Sequence, residues 1–103
     1  MYGIDLNSFI RKANKLTAAI EKRKQELANE TVEGKSGDGL VTVVATATQE
    51  IKSLKIDPKA ASDLALLEDL VIAAVNSALT QSKEHQKKEL AKISEGIQIP
   101  GIT

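Results

Sequence analysis

The chain has 103 residues, 42% of them hydrophobic, and its 14 basic and 14 acidic side chains leave no formal net charge. At this length we expect one domain spanning residues 1–103, because a second independent hydrophobic core would not fit. The absence of cysteine excludes disulfides, thiolate metal sites and a cysteine nucleophile. Nucleic-acid binders usually carry a basic excess, so the composition by itself does not indicate one.

The sequence also bears on the cellular compartment. The segment Met1–Asp5 has neither a basic start nor an apolar stretch, which argues against a secretory signal. The longest apolar run, Leu70–Val75, is far shorter than a membrane span. We therefore expect a cytoplasmic protein without membrane contact.

Residues 5–29 are predicted to form the first helix, with Asp5 or Asn7 as the capping residue. Apolar residues recur there at spacings of three, four or seven, and neither Pro nor Gly interrupts the pattern. After Ile20 the pattern thins into the charged run at residues 21–26, so we expect the second half of the helix to project into water. The apolar positions are Leu6, Phe9, Ile10, Ala13, Leu16, Ile20 and Leu27.

The next part of the chain predicts three short strands. The first two are rich in Val and Thr and flank Gly37-Asp38-Gly39, a hairpin signal because glycine accepts the positive φ of a tight turn. The second turn, around Ala47-Thr48-Gln49, contains no glycine, and this leaves its geometry open. The predicted strands cover residues 31–36, 40–47 and 51–56.

Residues 63–95 are predicted to form the second helix, after an Asp57-Pro58 pair that ends the third strand. Its first half is apolar almost all round, as expected for a helix buried on more than one side. Its second half is polar, and a short apolar tail follows at residues 96–103. At roughly 45 Å the helix is longer than the domain needs. We expect the two helices to leave the scaffold in different directions.

These elements predict an α+β fold of order α-β-β-β-α, with a three-stranded antiparallel sheet and two long protruding terminal helices. A free sheet edge and an over-apolar helix leave surface that a single chain does not cover. We therefore expect a symmetric homodimer. The predicted interface residues are Val41, Val43, Leu67, Leu70, Val71, Ala74, Val75 and Ala78.

The sequence offers little catalytic chemistry. His85 is the only histidine and lies on a polar helix face, where a solvated side chain is a better interpretation than a metal ligand. The glycines of residues 34–39 are followed by a strand and not by the helix that a phosphate-binding loop needs. Glu68 and Asp69 are adjacent and point in different directions, which makes a poor acid–base pair. We expect no enzymatic activity, no cofactor and no metal.

Basic residues on the two helices are the main functional candidates. Residues 1–30 carry six basic against four acidic side chains, so the first helix is the only positive segment. One interpretation is a solvated helix face; the other, strengthened by symmetric pairing, is phosphate contact at two places on a duplex. The scarcity of aromatic residues argues against a reader of single strands. The predicted phosphate contacts are Arg11, Lys12, Lys15, Lys22, Arg23, Lys24, Lys83, Lys87 and Lys88.

Four segments form a pattern of their own. Residues 32–43 read Val-x-Gly and then Gly-x-Gly-x-Val, and Ile56-Asp57-Pro58 follows at the third-strand exit. Leu67-Glu68-Asp69-Leu70-Val71 leads into an alanine-rich helix, and Gly96-Ile97-Gln98-Ile99-Pro100-Gly101 closes the chain. Together these segments resemble the YbaB/EbfC family of nucleoid-associated proteins over nearly the whole sequence. The chain departs from the family in lacking the usual glycine in the second turn and the Met/Gln richness of the first helix.

The resemblance implies a tweezer-like homodimer whose long helices protrude and bind double-stranded DNA, acting as a nucleoid-associated protein in the bacterial cytoplasm. We expect little sequence preference and an effect on nucleoid organisation or gene expression. In the family the DNA contacts lie on the protruding helices, which are variable, so no contact transfers residue by residue. The basic residues named above therefore rest on charge alone.

A homodimeric protein-interaction adaptor is the alternative function. In that interpretation, thin apolar seams on the protruding helices bind a helix of a partner protein. The seam residues are Leu16, Ile20, Leu27, Leu90 and Ile93.

Overall fold

The structure is a computed structural model that describes residues 5–96. It confirms the order α-β-β-β-α and the three-stranded antiparallel sheet, in the spatial order β1-β2-β3. Each element boundary lies within two residues of its predicted position, and the predicted tail beyond Gly96 lies outside the described residues. The elements are α1 (Leu6–Leu27), β1 (Thr31–Ser36), β2 (Val41–Thr46), β3 (Ile51–Ile56), a short 3₁₀ helix (Pro58–Ser62) and α2 (Leu64–Gly96).

Aspartate side chains begin the helical segments. Asp5 accepts a hydrogen bond from the backbone N–H of Asn7 at 3.1 Å, and Asp63 accepts one from Leu66 at 3.1 Å. Asp57 does the same for Lys59 at 2.9 Å, with Pro58 at the first helical position. These bonds satisfy N–H groups that have no partner in the first turn of a helix.

The two hairpin turns achieve positive φ in different ways. In the first turn, Gly37, Asp38 and Gly39 have φ values of 59°, 56° and 91°. The second turn has no glycine, and Gln49 adopts φ 64° instead. Its backbone N–H donates to Ser82 Oγ of α2 at 3.1 Å, and its side-chain amide donates to the same oxygen at 3.0 Å. The second turn is therefore held by α2.

The core lies between α2 and one face of the sheet. Val41, Val43 and Ala45 of β2 are fully buried against Ala74 and Ala78 of α2. The strand and the helix approach closely because Gly34 of β1 has no side chain: a Cβ there would overlap the backbone of Ala74 and Ala78. The fully buried apolar residues are mostly Ala and Val, so the core of a single chain is thin.

The third strand is covered only in small part by α2. The cross-strand register pairs Val43 with Leu54 and Val41 with Ile56, so the apolar face of β3 continues the buried face of β2. Leu54 is nevertheless 43% exposed, because α2 packs mainly on β1 and β2. This leaves an apolar strip at the edge of the sheet.

The helices do not leave the scaffold in different directions, and that expectation is wrong. Arg23 of α1 bonds to Glu89 of α2, and Glu30, which follows α1, bonds to His85. Earlier residues of α1 thus meet later residues of α2, and the two helices run antiparallel. We call this pair, residues 14–30 with residues 82–96, the arm.

The arm makes the molecule elongated. Its extents are 74 × 21 × 16 Å, with a radius of gyration of 20.2 Å. A compact chain of this length would have a radius of gyration of about 13 Å. The predicted protrusion of the helices is therefore present, but as a two-helix arm and not as two separate prongs.

Candidate nucleic-acid interface

A charged cluster joins the two helices of the arm. Arg23 Nη2 donates to Glu89 Oε1 at 2.6 Å, and Arg23 also bonds to both carboxylate oxygens of Glu30. Glu26, one turn along α1, accepts from Arg23 at 3.2 Å. His85 Nε2 donates to Glu30 Oε1 at 2.9 Å. We call Arg23, Glu30, His85 and Glu89 the arm cluster.

The pKa values of the arm cluster reflect these hydrogen bonds. The bond to Glu30, followed by the bond to Glu89, raises the pKa of Arg23 above its usual range. Arg23 is also the largest cause that lowers the pKa of Glu30, and His85 contributes further. Hydrogen bonds from Lys92 and then Arg23 lower the pKa of Glu89 to about 2. Each carboxylate is thus held in its charged form.

Arg23 is the predicted phosphate contact that the structure places differently from the others. Its side chain is only 20% exposed, and it is bonded to three carboxylates. A DNA phosphate would have to replace carboxylates that are already in hydrogen-bonding geometry. We therefore leave Arg23 out of the set of proposed phosphate contacts.

The other eight predicted contacts are all exposed, and helix geometry sorts them by side. Arg11, Lys15 and Lys22 are separated by four and seven residues, so they share one stripe of α1. Lys22 precedes Arg23, and Lys88 precedes Glu89, which Arg23 touches. In antiparallel helices, residues that precede the two contacting positions emerge on the same side. We call Lys15, Lys22 and Lys88, together with Arg11 on the same stripe of α1 just beyond the arm, the basic side of the arm.

The remaining predicted contacts are spread more widely. Lys24 follows Arg23 and so lies on the opposite side of α1 from Lys22, about 200° around the helix. Lys83 and Lys87 are one turn apart on α2 and share a stripe there. Lys12 lies beyond the arm, on nearly the same side of α1 as Arg23. By the same spacing, Glu26 shares the stripe of Lys22, and Glu84, Lys92 and Glu95 share the stripe of Lys88. The basic side therefore also carries acidic side chains.

The apolar seams of the adaptor alternative lie inside the arm. Ile20 and Leu27 are three and four residues from Arg23, so they share its face of α1, and Ile93 shares the face of Glu89. Leu27 is fully buried, and Leu16, Ile20, Leu90 and Ile93 are half-buried. These side chains pack within the chain, which leaves little of them for a partner helix.

Four of the eight predicted dimer-interface residues belong to the core of the single chain. Val41, Val43, Ala74 and Ala78 are already fully buried, so they have no surface left to cover. The periodic pattern marked them as apolar but did not show which side α2 itself covers. The other four, Leu67, Leu70, Val71 and Val75, are half-buried at the border of the core.

An apolar groove lies beside these border residues. It has a volume of about 450 Å³ and is lined by Ile56, Leu64, Leu67, Glu68, Val71 and Ile72. Leu64 and Ile72 are 68% and 59% exposed. Together with the uncovered Leu54 of β3, the groove forms a continuous apolar surface on the scaffold.

The exposure of α2 also bears on the membrane expectation. Within residues 5–96, α2 is the one helix long and apolar enough to cross a membrane, judged by length and composition only. Of its most apolar stretch only 11% is buried in the single chain. A core helix of a water-soluble assembly meets the same criterion once its apolar face is covered.

Three positions that shape the site were not predicted from the sequence patterns. Glu30 and Glu89 each lie among several similar charged residues, and no spacing rule links residues from different helices. Ser82 is fully buried and donates to the backbone oxygen of Thr46 at 2.6 Å. The only sequence signal for Ser82 was a polar residue on a helix face that is otherwise apolar.

Within the described part of the chain, no group of three or more acidic or histidine side chains is arranged to hold a metal ion.

Comparison with known proteins gives a consistent result. The sequence model of the YbaB/EbfC DNA-binding family matches residues 2–97. A protein of Myxococcus xanthus named "Nucleoid-associated protein" is 62% identical, over 100% of both chains. The nucleoid-associated protein TTE0040 of Caldanaerobacter subterraneus is 42% identical, over 97% of this chain and 92% of its own.

A solved structure shows the same fold. The uncharacterized protein HP0035 from Helicobacter pylori superposes with a TM-score of 0.78, covering 88% of this chain and 98% of its own. The two sequences are 18% identical. The likeness therefore concerns the fold alone.

Proposed function

The chain belongs to the YbaB/EbfC DNA-binding family, and from that premise we propose that it binds double-stranded DNA mainly through phosphate contacts, with little sequence preference. The family is one of DNA-binding proteins and not of enzymes, which confirms the prediction that the chain is not an enzyme. The names of its relatives support a location on the nucleoid in the bacterial cytoplasm. A role in nucleoid organisation or gene expression is consistent with such a location.

The basic side of the arm is the observation that carries this proposal. It places Lys15, Lys22 and Lys88 on one exposed surface of the two-helix arm, with Arg11 on the same stripe of α1 just beyond it. The arm cluster neutralises glutamates that would otherwise repel phosphate from this element. Lysine and arginine contacts to phosphate supply affinity without reading the bases. Lys12, Lys24, Lys83 and Lys87 are further candidates at the flanks.

We also propose that two copies pair through the apolar surface of the scaffold. The exposed side chains of Leu64 and Ile72 line the groove, and exposed Leu54 lies two residues before Ile56, which also lines it. The core of the single chain is also thin. Burial of such a surface against a second copy stabilises both chains. Pairing at the scaffold would leave both arms free, so that one duplex is contacted at two places.

Salt dependence tests the mechanism of binding. The affinity for a 30-base-pair duplex should fall with salt, with a log–log slope of about −0.9 for each phosphate contacted. Replacing Lys15 by Gln should make that slope shallower by about one unit for each chain bound to the duplex, because each chain then contacts one phosphate fewer. Lys59, an exposed lysine at the scaffold end, provides the matched control, since Lys59→Gln should leave the slope unchanged. A slope near zero for the wild-type protein would contradict phosphate contact.

A further inference from the structure

We propose that Arg23 is a positioning residue: it fastens α1 to α2 and so sets the spacing between the basic residues of the two helices, without contacting DNA itself. This inference rests on the proposed function and adds to it the residue that shapes the binding surface. It also reverses the role that sequence alone gives Arg23, a basic side chain between Lys22 and Lys24.

The hydrogen bonds of Arg23 carry the first step. Nη1 donates to Glu26 and Glu30, and Nη2 donates to Glu30 and Glu89. Arg23 thus ties the end of α1 to α2 through a carboxylate 66 residues away in sequence. The planar guanidinium suits such a forked arrangement, and a lysine ammonium does not reproduce it.

The charges around Arg23 carry the second step. Glu30, which follows α1, and Glu89 of α2 both bond to Arg23, and Glu89 is only 15% exposed. Without Arg23, these two carboxylates would face each other with His85 and Lys92 as their remaining partners. Loss of Arg23 would therefore replace an attraction between the helices with a repulsion.

The position of the neighbouring lysines carries the third step. Lys22 and Lys88 lie one residue before Arg23 and Glu89, on the same side of the arm. The 2.6 Å contact between Arg23 and Glu89 therefore fixes how far apart these two lysines stand. Contacts held at a fixed separation reinforce one another on a rigid duplex, and that advantage disappears when the separation varies.

The test combines hydrogen exchange without DNA and affinity for a 30-base-pair duplex. Arg23→Met should speed amide exchange in residues 16–27 by about tenfold or more, because an unsupported helix of this length is marginal in water. It should also weaken duplex binding by about tenfold. Unchanged exchange in residues 70–80 would show that the scaffold remains folded.

Two further variants separate positioning from direct contact. Lys22→Met removes the same charge from the adjacent residue and should weaken binding with exchange like that of the wild type. Arg23→Met combined with Glu89→Met removes the unpaired carboxylate and packs two apolar side chains between the helices. This double variant should recover both slow exchange and most of the affinity, although Arg23 is absent.

Three results would overturn the inference. The first is weaker DNA binding by Arg23→Met with wild-type exchange, since that identifies a direct contact. The second is faster exchange with unchanged affinity, and the third is no change in either. A wild-type protein that binds no duplex would overturn the proposed function instead, whereas the exchange data would still decide whether Arg23 fastens the arm.

Discussion

At the scale of single residues, the fold depends on a few positions where adding or removing one atom would disturb the packing. Gly34 is the clearest of them, because β1 crosses α2 directly at this position. A methyl group there would overlap the backbone of Ala74 and Ala78, which cannot move like the end of a flexible side chain. The strand and the helix can thus approach closely because Gly34 has no side chain between them.

Gly34→Ala should destabilise the fold by at least about 3 kcal/mol, because strand and helix must separate to admit the new methyl group. Thermal or urea denaturation measures the loss. Gly96→Ala is the matched control, since no atom lies within 4 Å of a Cβ at that position. Equal stability of the two variants would show that the strand and helix are not in close contact.

The arm cluster predicts a pH dependence through Glu89. Its pKa is lowered from 4.5 to about 2, so its carboxylate is charged at neutral pH and supports the arm through Lys92 and Arg23. The lowered value means that this support is complete above about pH 4.5 and is lost as the pH falls towards 2. The pKa of Glu30 is also lowered, chiefly by Arg23, so Glu30 loses its support as the pH falls in the same way.

Hydrogen exchange in α1 measures this pH dependence when wild type is compared with Glu89→Gln. After correction for the intrinsic exchange rate, protection of residues 16–27 should be greater in the wild type at pH 6. The difference should shrink as the pH falls below 4. A difference that stays constant down to pH 2.5 would exclude Glu89 as the titrating group.

At the scale of elements, the contacts that fix geometry are long-range. Gln49 adopts its positive φ because Ser82, 33 residues later, accepts hydrogen bonds from both its backbone and its side chain. Ser82 in turn donates to the backbone of Thr46. This arrangement replaces the glycine that the second turn lacks, and it ties the β2–β3 hairpin to the middle of α2.

Ser82→Ala should destabilise the protein by about 1–3 kcal/mol, because it removes the hydroxyl that donates to the buried carbonyl of Thr46 and accepts two hydrogen bonds from Gln49. The gain in helix propensity from alanine offsets about 0.5 kcal/mol of this. Ser94→Ala, at an exposed position of the same helix, should be neutral or slightly stabilising. If Ser82→Ala were as stable as Ser94→Ala, the turn would not depend on Ser82.

These examples show which part of the structure the sequence could predict. Helix periodicity, the Gly37-Asp38-Gly39 turn and the Asp57-Pro58 boundary are local signals, and the elements that they predicted lie within two residues of the observed bounds. The pairing of Arg23 with Glu89 depends on two distant residues, each of which has similar charged neighbours. The sequence therefore predicted basic residues on the helices, but it did not predict which of them is engaged in ion pairs within the chain.

At the scale of the whole molecule, the apolar surface of the scaffold and the length of the arm are linked. The single chain is 74 Å long and buries few large side chains. A second copy that covers Leu54, Leu64 and Ile72 would extend the thin core of each chain across the interface. It would also hold the two arms at a fixed position relative to each other. We expect such a dimer to be the species that binds DNA.

Sedimentation equilibrium tests this pairing. The chain has a mass of 11.0 kDa, and we expect the wild-type protein to sediment as a species of twice that mass at micromolar concentration. Ile72→Glu should produce the single-chain mass, since it places a charge on the exposed wall of the groove. Thr80→Glu, which faces away from the groove, should not. A wild-type protein that sediments at 11.0 kDa would contradict the pairing.

The most direct test of the account is to map where a duplex touches the protein. Backbone and side-chain NMR signals should be recorded as a 30-base-pair duplex is added to the isotope-labelled protein. We predict the largest shifts at Arg11, Lys15, Lys22 and Lys88, with smaller shifts at the flanking lysines and almost none around the apolar groove. Shifts concentrated on the sheet or the groove, with the basic side of the arm unaffected, would contradict the account.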